Sequence, residues 1–368
     1  MRIHSLELQN FRNYPQLRLV FNRDFIVFLG NNAQGKTNLL ESIYLSATGK
    51  SYRTYQDSDL IHWNQPVGYI RLEFERNQIR HQIEISISPS EKKIKLDGKL
   101  LTRRSELIGQ LALVLFTPDD LELIKGDPSI RRKFLDFEIS ETHPVYLHAL
   151  QRYYRALKQR NISLREVKLD KAGLDLVTAW NSQMIEFGSE IVYQRYQTIQ
   201  QLNNLVSNIY SQIVGDGDKL ELIYQTQFSE YEIQDKAILL KSFQQKLEEL
   251  QKEEIKRGIT LIGPQRDDIV IQLNGHDLHS TGSQGEQRST VLALKLAEIQ
   301  LIKSEIGEYP VVALDDFMSE LDENHIDHLL HSLTPDIQTF ITAIHTLPSQ
   351  SKNQNIQYYH IQNGIITT

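Results

Sequence analysis

The chain of 368 residues contains no cysteine. Disulfide bridges, a zinc site built from thiolates and a cysteine nucleophile are therefore excluded, and we expect the protein to work in a reducing cytoplasm. Long apolar runs are also missing, since stretches such as residues 111–116 are far too short to cross a bilayer. The first residues carry no apolar signal core. We expect no association with a membrane.

An excess of positive charge is absent as well, because the formal net charge is −7. A nucleic acid would therefore have to bind local basic patches rather than a global field. One helical segment is locally basic, and its cations could follow a phosphate backbone or form an ordinary solvated face. These cations are Arg152, Arg155, Lys158, Arg160, Arg165 and Lys168.

Residues 30–37 fit the phosphate-binding pattern G-x-x-x-x-G-K-[ST]. An apolar run of strand length precedes them (residues 25–29) and a helical pattern follows them (residues 38–45). In this order, backbone N–H groups and a helix N-terminus face a phosphate. The alternative is an ordinary glycine turn. The predicted nucleotide-binding residues are Gly30, Asn31, Asn32, Ala33, Gln34, Gly35, Lys36, Thr37 and Asn38.

Two of these side chains have predicted chemical roles. Lys36 would reach the β- and γ-phosphates of a nucleotide, and the Thr37 hydroxyl would hold Mg²⁺. A third contact is predicted from residues 10–14, which lie between two alternating segments that we expect to be strands. Arg12 in this turn could stack on the adenine base, although a surface turn fits the residues equally well. The first hundred residues predict a mixed sheet around the phosphate-binding loop.

Near the other end of the chain, an apolar strand pattern (residues 310–314) ends in Asp315 and Asp316. Paired acids at the end of such a strand are typical of the Walker B motif. We expect Asp315 to bind Mg²⁺ together with Thr37, and Asp316 to position the attacking water. A strand that ends in a polar turn is the alternative. A further strand ends at His345, which could contact the γ-phosphate or simply lie at the surface.

Residues 283–288 read Ser-Gln-Gly-Glu-Gln-Arg and open an amphipathic helix. Ser283, Gly285 and Glu286 therefore lie at a helix N-terminus, where free N–H groups and a hydroxyl can bind an anion. A simple N-cap would explain the serine alone. Long helical patterns fill the middle of the chain. We predict an N-terminal part of an ATPase lobe at residues 1–142, a helical arm at 143–258 and a C-terminal part of the ATPase lobe at 259–368.

These motifs follow one another in the order of ABC-type ATPase heads. The chain resembles the heads of the SMC class, and within that class the bacterial recombination mediators, which lack long coiled coils. The segments that carry the resemblance are residues 8–14, 30–37, 115–121, 263–268, 283–288 and 314–316. The resemblance implies an α/β fold, with an ABC-ATPase head built on a mixed sheet and a mostly helical second lobe.

The resemblance also implies a function. Two ATP molecules, with Mg²⁺, would be enclosed by an ATP-dependent homodimer, so that residues 283–286 of one subunit complete the site of the other. The dimer would close on gapped duplex or single-strand/double-strand DNA junctions during recombinational repair and the SOS response. Slow, DNA-stimulated ATP hydrolysis would reset it. RecO and RecR are the implied partners, and RecA loading is the implied outcome.

Three positions depart from the expected pattern or are undefined by it. Gln265 stands where the family's G-P-H-R-D-D motif has histidine, the second acid is an aspartate rather than a glutamate, and Gln110 is a guess for the glutamine that couples the lobes.

Another SMC-like head acting as a DNA-bound scaffold is the alternative function. A transporter ATPase subunit is disfavoured by the long helical insertion. A long-armed DNA tether would need sustained heptads, which are missing.

Overall fold

The phosphate-binding loop follows strand β3 (Phe25–Leu29), which lies inside a six-stranded sheet. Numbered along the chain, the strands of this sheet lie in the order β15-β14-β3-β13-β12-β8. All neighbouring strands from β8 to β14 in this order are parallel to each other. The edge strand β15 is antiparallel to β14. The strands are β3 (Phe25–Leu29), β8 (Leu113–Phe116), β12 (Val311–Leu314), β13 (Thr339–Ala343), β14 (Ile356–Gln362) and β15 (Ile365–Thr367). Because parallel strands end at the same edge, the loop after β3 and the acids after β12 come together there.

The other strands of the N-terminal segment form a separate antiparallel sheet, in the order β2-β1-β4-β5-β6-β7. The prediction of one mixed sheet within the first hundred residues was therefore wrong in its strand pairing. Strand β3 pairs with β13 and β14, which come from the last third of the chain and are invisible to local patterns. The antiparallel strands are β1 (Arg2–Phe11), β2 (Tyr14–Val20), β4 (Gly68–Arg76), β5 (Ile79–Ile87), β6 (Lys92–Leu96) and β7 (Lys99–Leu100).

One apolar core joins these two sheets with helix α1 (Lys36–Thr48). The antiparallel sheet contributes one face of each strand, as alternation predicts: Leu6, Leu8, Ile70 and Leu72 are buried. From the helix, Leu39, Leu40 and Ile43 enter the same core at helical spacing. The helix that begins at the phosphate-binding loop is thereby fixed relative to both sheets.

The computed structural model describes residues 1–171, 173–215, 217–347, 355–362 and 364–367. The chain divides into two compact units, Met1–Asp120 with Arg288–Thr368, and Leu121–Gln287. The predicted boundaries, at 142/143 and 258/259, differ from this division. Residues 121–142 and 259–287 belong to the helical unit, because the helix Pro128–Thr142 packs on the following helix and the strand Asp268–Leu273 pairs with the strand Leu220–Gln225.

The second unit is mostly helical, as expected, and contains a small antiparallel sheet in which β10 (Asp268–Leu273) lies between β11 (His276–Asp277) and β9 (Leu220–Gln225). Residues 284–287 of helix α10 (Gln284–Ile306) belong to this unit and its remaining residues to the first unit, as does helix α11 (Glu323–Ser332). Among the described residues, no helix is both long and apolar enough to span a membrane. The remaining elements are α2 (Glu122–Lys125), α3 (Pro128–Thr142), α4 (Pro144–Lys168), α5 (Asp175–Thr178), α6 (Asn181–Val214), α7 (Glu230–Gln234), α8 (Lys236–Arg257) and α9 (Leu278–Thr281).

The Gly-Pro-Gln-Arg-Asp-Asp segment at residues 263–268 is anchored inside the second unit. Asp268 accepts two hydrogen bonds from Arg131, at 2.8 and 2.7 Å, and the buried Asp267 accepts one from the Tyr224 hydroxyl at 2.5 Å. Gln265 accepts a hydrogen bond from Tyr153 through its side-chain oxygen. The contacts of this segment are therefore those of a structural turn, and glutamine replaces histidine at a position that faces a tyrosine.

Candidate nucleotide-binding site

The predicted order of strand, loop and helix is present, with β3 ending at Leu29 and α1 beginning at Lys36. Gly35 has φ = 111°, in the left-handed region that favours glycine. A Cβ atom there would lie 2.4 Å from Asn13 Nδ2 and 2.8 Å from the Tyr14 hydroxyl oxygen. Gly30 is equally constrained, because a Cβ atom would lie 2.4 Å from the Ile361 carbonyl oxygen. Both glycines of the motif are therefore required by close packing.

The turn between β1 and β2 holds the loop from one side. Asn13 Nδ2 donates to the Gln34 carbonyl at 3.2 Å, and the Tyr14 hydroxyl donates to the Gly35 carbonyl at 3.1 Å. The C=O and N–H of one peptide unit point in opposite directions. Engaging these carbonyls therefore turns the N–H groups of Gly35 and Lys36 away from the turn, to the side where a phosphate can be bound.

Arg12, predicted to stack on adenine, is bound to Glu41 of α1. Its guanidinium makes two parallel hydrogen bonds to the Glu41 carboxylate, at 2.8 and 2.6 Å, and a third to the Asp59 carbonyl at 2.8 Å. Glu41 is fully buried and also accepts hydrogen bonds from Ser51 at 2.6 Å and Arg53 at 3.2 Å. Arg12 thus ties the β1–β2 turn to the helix, and its contact with a base stays a prediction.

A pocket of about 410 Å³ opens between the loop and the edge of the parallel sheet. Within it, Lys36 Nζ donates to the carbonyls of Gly30 at 2.6 Å and Asn31 at 2.8 Å. Burial lowers the pKa of Lys36, and the neighbouring Asp316 and Asp315 oppose this effect. The lining residues are Asn32, Ala33, Gly35, Lys36, Thr37, Asn38, Arg53, Asp316 and Thr342.

The two residues predicted to bind the metal ion are in direct contact. The Thr37 hydroxyl donates to Asp315 Oδ1 at 2.9 Å, although the residues are far apart in sequence. Thr342 donates to the same oxygen at 3.1 Å, and the Tyr52 hydroxyl donates to Oδ2 at 2.7 Å. Asp315 is 6% exposed, and three hydroxyl donors fix its orientation. Hydroxyl and carboxylate oxygens are the ligands that Mg²⁺ prefers, so this donor set fits that ion.

Asp316 has φ = 54°, which is uncommon for a residue other than glycine and least unfavourable for Asn and Asp. Its N–H donates to the Thr342 hydroxyl oxygen at 2.8 Å. The residue is exposed and lines the same pocket as Lys36. Backbone conformations of this kind cluster at functional sites. The left-handed turn presents the second acid to the pocket while the first stays buried.

Tyr52 and Arg53 were not identified from the sequence. Arg53 lines the pocket and donates to Asn38 Oδ1 at 2.8 Å, whereas Tyr52 reaches Asp315. Burial and the adjacent Asp315 carboxylate raise the pKa of Tyr52, so that its hydroxyl stays protonated and can donate. No short motif marks either residue. The sequence signal is only a tyrosine–arginine pair soon after the loop helix.

Other predicted residues lie outside this pocket. His345 is exposed and follows the end of β13 by two positions, and it is not among the lining residues. The Gln110 side chain donates to the Glu106 carbonyl at 3.3 Å. Ser283, Gly285 and Glu286 belong to the second unit. The roles predicted for these residues stay predictions.

Ser283 forms an N-cap at the start of α10, as the alternative interpretation of this serine requires. Glu286 Oε2 accepts a hydrogen bond from the Ser283 N–H at 2.7 Å, and Ser283 Oγ accepts one from the Glu286 N–H at 3.3 Å. This reciprocal pair is a capping box. A Cβ atom on Gly285 would meet nothing within 4 Å, so the helix surface beside the cap is open.

A P-loop and a paired-acid strand end meet at one edge of a parallel sheet, beside an antiparallel sheet and with a helical insertion between them. This arrangement defines an ATPase head of the ABC type. The family described as RecF/RecN/SMC N terminal domain matches residues 2–367, which confirms the predicted fold class. The chain belongs to this family and, within it, to the RecF proteins.

Relatives and a solved structure support this assignment. The DNA replication and repair protein RecF of Exiguobacterium sp. strain AT1b is 39% identical over 369 residues, covering 100% of this chain and 99% of that protein. RecF of Bacillus subtilis strain 168 is 38% identical, with 100% of both proteins covered. A solved structure of the recombination mediator protein RecF with ATP, in the RecFOR pathway, is similar with a TM-score of 0.90 at 33% identity. It covers 100% of this chain and 97% of that chain.

Proposed function

We propose that this protein is an ATP-dependent DNA-binding protein of replication and recombinational repair in the cytoplasm. The observation that carries the proposal is the contact between the Thr37 hydroxyl and Asp315 beside the P-loop lysine. Relatives named as DNA replication and repair proteins, and the RecF structure with ATP, support it. With RecO and RecR as partners, it would act at single-strand/double-strand junctions and help to load RecA.

In the proposed site, each residue has one task. Lys36 binds the terminal phosphates, and the N–H groups of the P-loop bind the remaining phosphate oxygens. Thr37 and Asp315 hold Mg²⁺, which supplies charge neutralisation when it is bound. Asp316 orients the attacking water and accepts its proton. Because Asp is shorter than Glu, we propose slow hydrolysis that acts as a switch.

We further propose that ATP drives homodimerisation, with Ser283, Gly285 and Glu286 of one subunit binding the nucleotide held by the other. The positive end of α10 would then face the γ-phosphate of that nucleotide. ATP would keep the dimer closed on DNA, and DNA would stimulate the hydrolysis that opens it.

Sedimentation tests this proposal directly. The Asp316→Asn variant is expected to be a dimer with ATP and Mg²⁺ and a monomer with ADP, because it retains the proposed phosphate and metal ligands but lacks the proposed base. Gapped duplex DNA should then co-sediment with the ATP-bound dimer. The Asp277→Asn variant, altered at an exposed acid of the second unit, is the matched control and should resemble the parent protein. A monomer under every condition, with and without DNA, would contradict the proposed dimer.

The Tyr52→Phe substitution should weaken metal binding. The variant lacks the hydroxyl that donates to Asp315 Oδ2, so the orientation of the Asp315 carboxylate is less fixed. Loss of one hydrogen bond changes the free energy of metal binding by roughly 1 kcal/mol, or about fivefold in metal affinity. Electron paramagnetic resonance of free Mn²⁺, titrated with the ATP-bound protein, measures the effect. Tyr69→Phe is the control, because it removes a hydroxyl bonded to Glu84 in the antiparallel sheet. Equal Mn²⁺ affinities in the two variants would show that Tyr52 does not position Asp315.

A further inference from the structure

Helix α4 carries an unusual excess of positive charge. Its sequence has six arginines and lysines and a single acidic residue, Glu166, in a chain whose net charge is −7. Helix α8 of the same unit is equally rich in cations but contains four glutamates. The charge of α4 is therefore concentrated locally and is not a property of the helical unit as a whole.

One of the six cations of α4, Arg160, is not available at the surface. Arg160 is fully buried, and its guanidinium donates to Glu254 at 2.6 Å, Thr260 at 2.9 Å and Asn181 at 2.9 Å. Its charge is compensated inside the unit, because Glu254 is also fully buried. Arg160 therefore packs the helix and is unavailable to a partner, contrary to its inclusion in the basic patch predicted from the sequence.

The other five cations are exposed, and we call them the α4 stripe. None of the five has an acidic partner among the residues that the structure describes, and Arg152 donates only to His148, at 3.5 Å. Some exposed cations of the unit do have such partners, since Lys219 pairs with Glu221 and Arg257 with Glu253, whereas others on α8 resemble the α4 cations in this respect. The α4 stripe consists of Arg152, Arg155, Lys158, Arg165 and Lys168.

Helical geometry arranges the stripe along the solvent side. At about 100° per residue, Arg155, Lys158 and Arg165 fall within an arc of about 80° on the helix surface, on the side away from the buried Tyr153 and Leu164. Arg152 and Lys168 lie about 60° further round the helix at either end, and the five cations span about 24 Å along the axis at a rise of about 1.5 Å per residue. Duplex DNA presents one charge per roughly 3.4 Å along each strand, so a stripe of this length can contact several phosphates.

We propose that the α4 stripe binds the phosphate backbone of DNA. This inference rests on the proposed DNA-binding function and assigns a surface of the second unit to it. Unpaired cations release condensed counterions when they meet phosphates, whereas ion-paired cations must first lose an acid. Interfaces with DNA are much more positively charged than interfaces between proteins, so five cations without an acidic partner favour DNA. The contacts are to the backbone, so the stripe adds affinity without choosing a sequence.

A triple substitution, Arg155→Ala with Lys158→Ala and Arg165→Ala, tests the inference. We expect DNA affinity in the presence of ATP to fall by about 100-fold at low salt. We also expect the slope of log K against log salt to become shallower by about 2.7, which is about 0.9 for each lost phosphate contact. Fluorescence anisotropy with a labelled gapped duplex, repeated over a salt series, measures both quantities. ATP affinity should be unchanged.

The matched control removes the same charge from ion-paired cations of the same unit: Lys219→Ala, Lys236→Ala and Arg257→Ala. It should retain the parent slope, and so should an Arg155→Lys, Arg165→Lys variant, which keeps the charge. Equal affinity and slope in the stripe variant and the parent would overturn the inference while leaving the proposed function intact. Failure of the parent protein itself to bind DNA would instead reject the proposed function.

Discussion

Lys36→Ala is expected to lower the affinity for ATP by about 100-fold and to abolish ATP-dependent DNA binding. The substitution removes a charged donor from a site that has few other cations, a loss of roughly 3 kcal/mol. It also frees the carbonyls of Gly30 and Asn31, which Lys36 holds at 2.6 and 2.8 Å. Titration with a fluorescent ATP analogue measures the first effect, and anisotropy of labelled DNA with and without ATP measures the second.

Lys99→Ala is the control for this experiment. Lys99 is an exposed cation in β7 of the same unit, so the variant loses the same charge without altering the pocket. It should bind ATP and DNA like the parent protein. If Lys36→Ala still showed ATP-dependent DNA binding, the assignment of residues 30–37 as the nucleotide site would be wrong.

Ser283→Arg is expected to abolish ATP-dependent dimerisation while ATP affinity changes by less than about twofold. The proposed site places this serine against the nucleotide of the other subunit, where a long cationic side chain would occupy the space of the γ-phosphate contact. The pocket that contains Lys36 is in the other unit of the same chain and keeps all its lining residues. Sedimentation with ATP and Mg²⁺ measures dimerisation, and fluorescence titration measures ATP binding.

A second capping box provides a close control. Ser229 caps α7 through reciprocal bonds with Glu232, in the same unit and with the same spacing as Ser283 and Glu286. Ser229→Arg should remove a similar N-cap and lower the free energy of unfolding by about 1 kcal/mol. It should leave dimerisation intact. Normal dimers in the Ser283→Arg variant would mean that residues 283–286 act only as a helix cap.

The geometry of the candidate nucleotide site was predictable to the extent that it follows from contiguous motifs. The P-loop pattern between an apolar strand and a helix locates Lys36 and Thr37, and the apolar strand before Asp315 locates the proposed metal ligand. The contact between Thr37 and Asp315 follows once both motifs are assigned to neighbouring ends of one parallel sheet. The family and the fold class, which the comparisons confirm, were accessible for the same reason.

The features that could not be predicted from the sequence are contacts between segments that lie far apart in the chain. Strand β3 looks complete in its local context, yet its neighbours are β13 and β14, and no periodicity connects segments so far apart. Tyr52 and Glu41 likewise have ordinary surroundings in the sequence, and only the fold brings Tyr52 to Asp315 and Arg12 to Glu41. The predicted boundaries differ from the division into compact units because α3 packs on α4 and β10 pairs with β9, contacts that the sequence pattern does not reveal.

The order in which the site can assemble during synthesis follows from its topology. Thr37 and Asp315 are 278 positions apart, and β3 pairs with strands that are synthesised much later than β3 itself. Antiparallel pairing of β1, β2 and β4 involves nearer segments, so it can form early, whereas the parallel sheet must wait for nearly the whole chain. Until then, the all-apolar β3 has no strand on either side and is open to non-native pairing. The first unit of the nascent chain therefore exposes an apolar strand until β13 and β14 have been made.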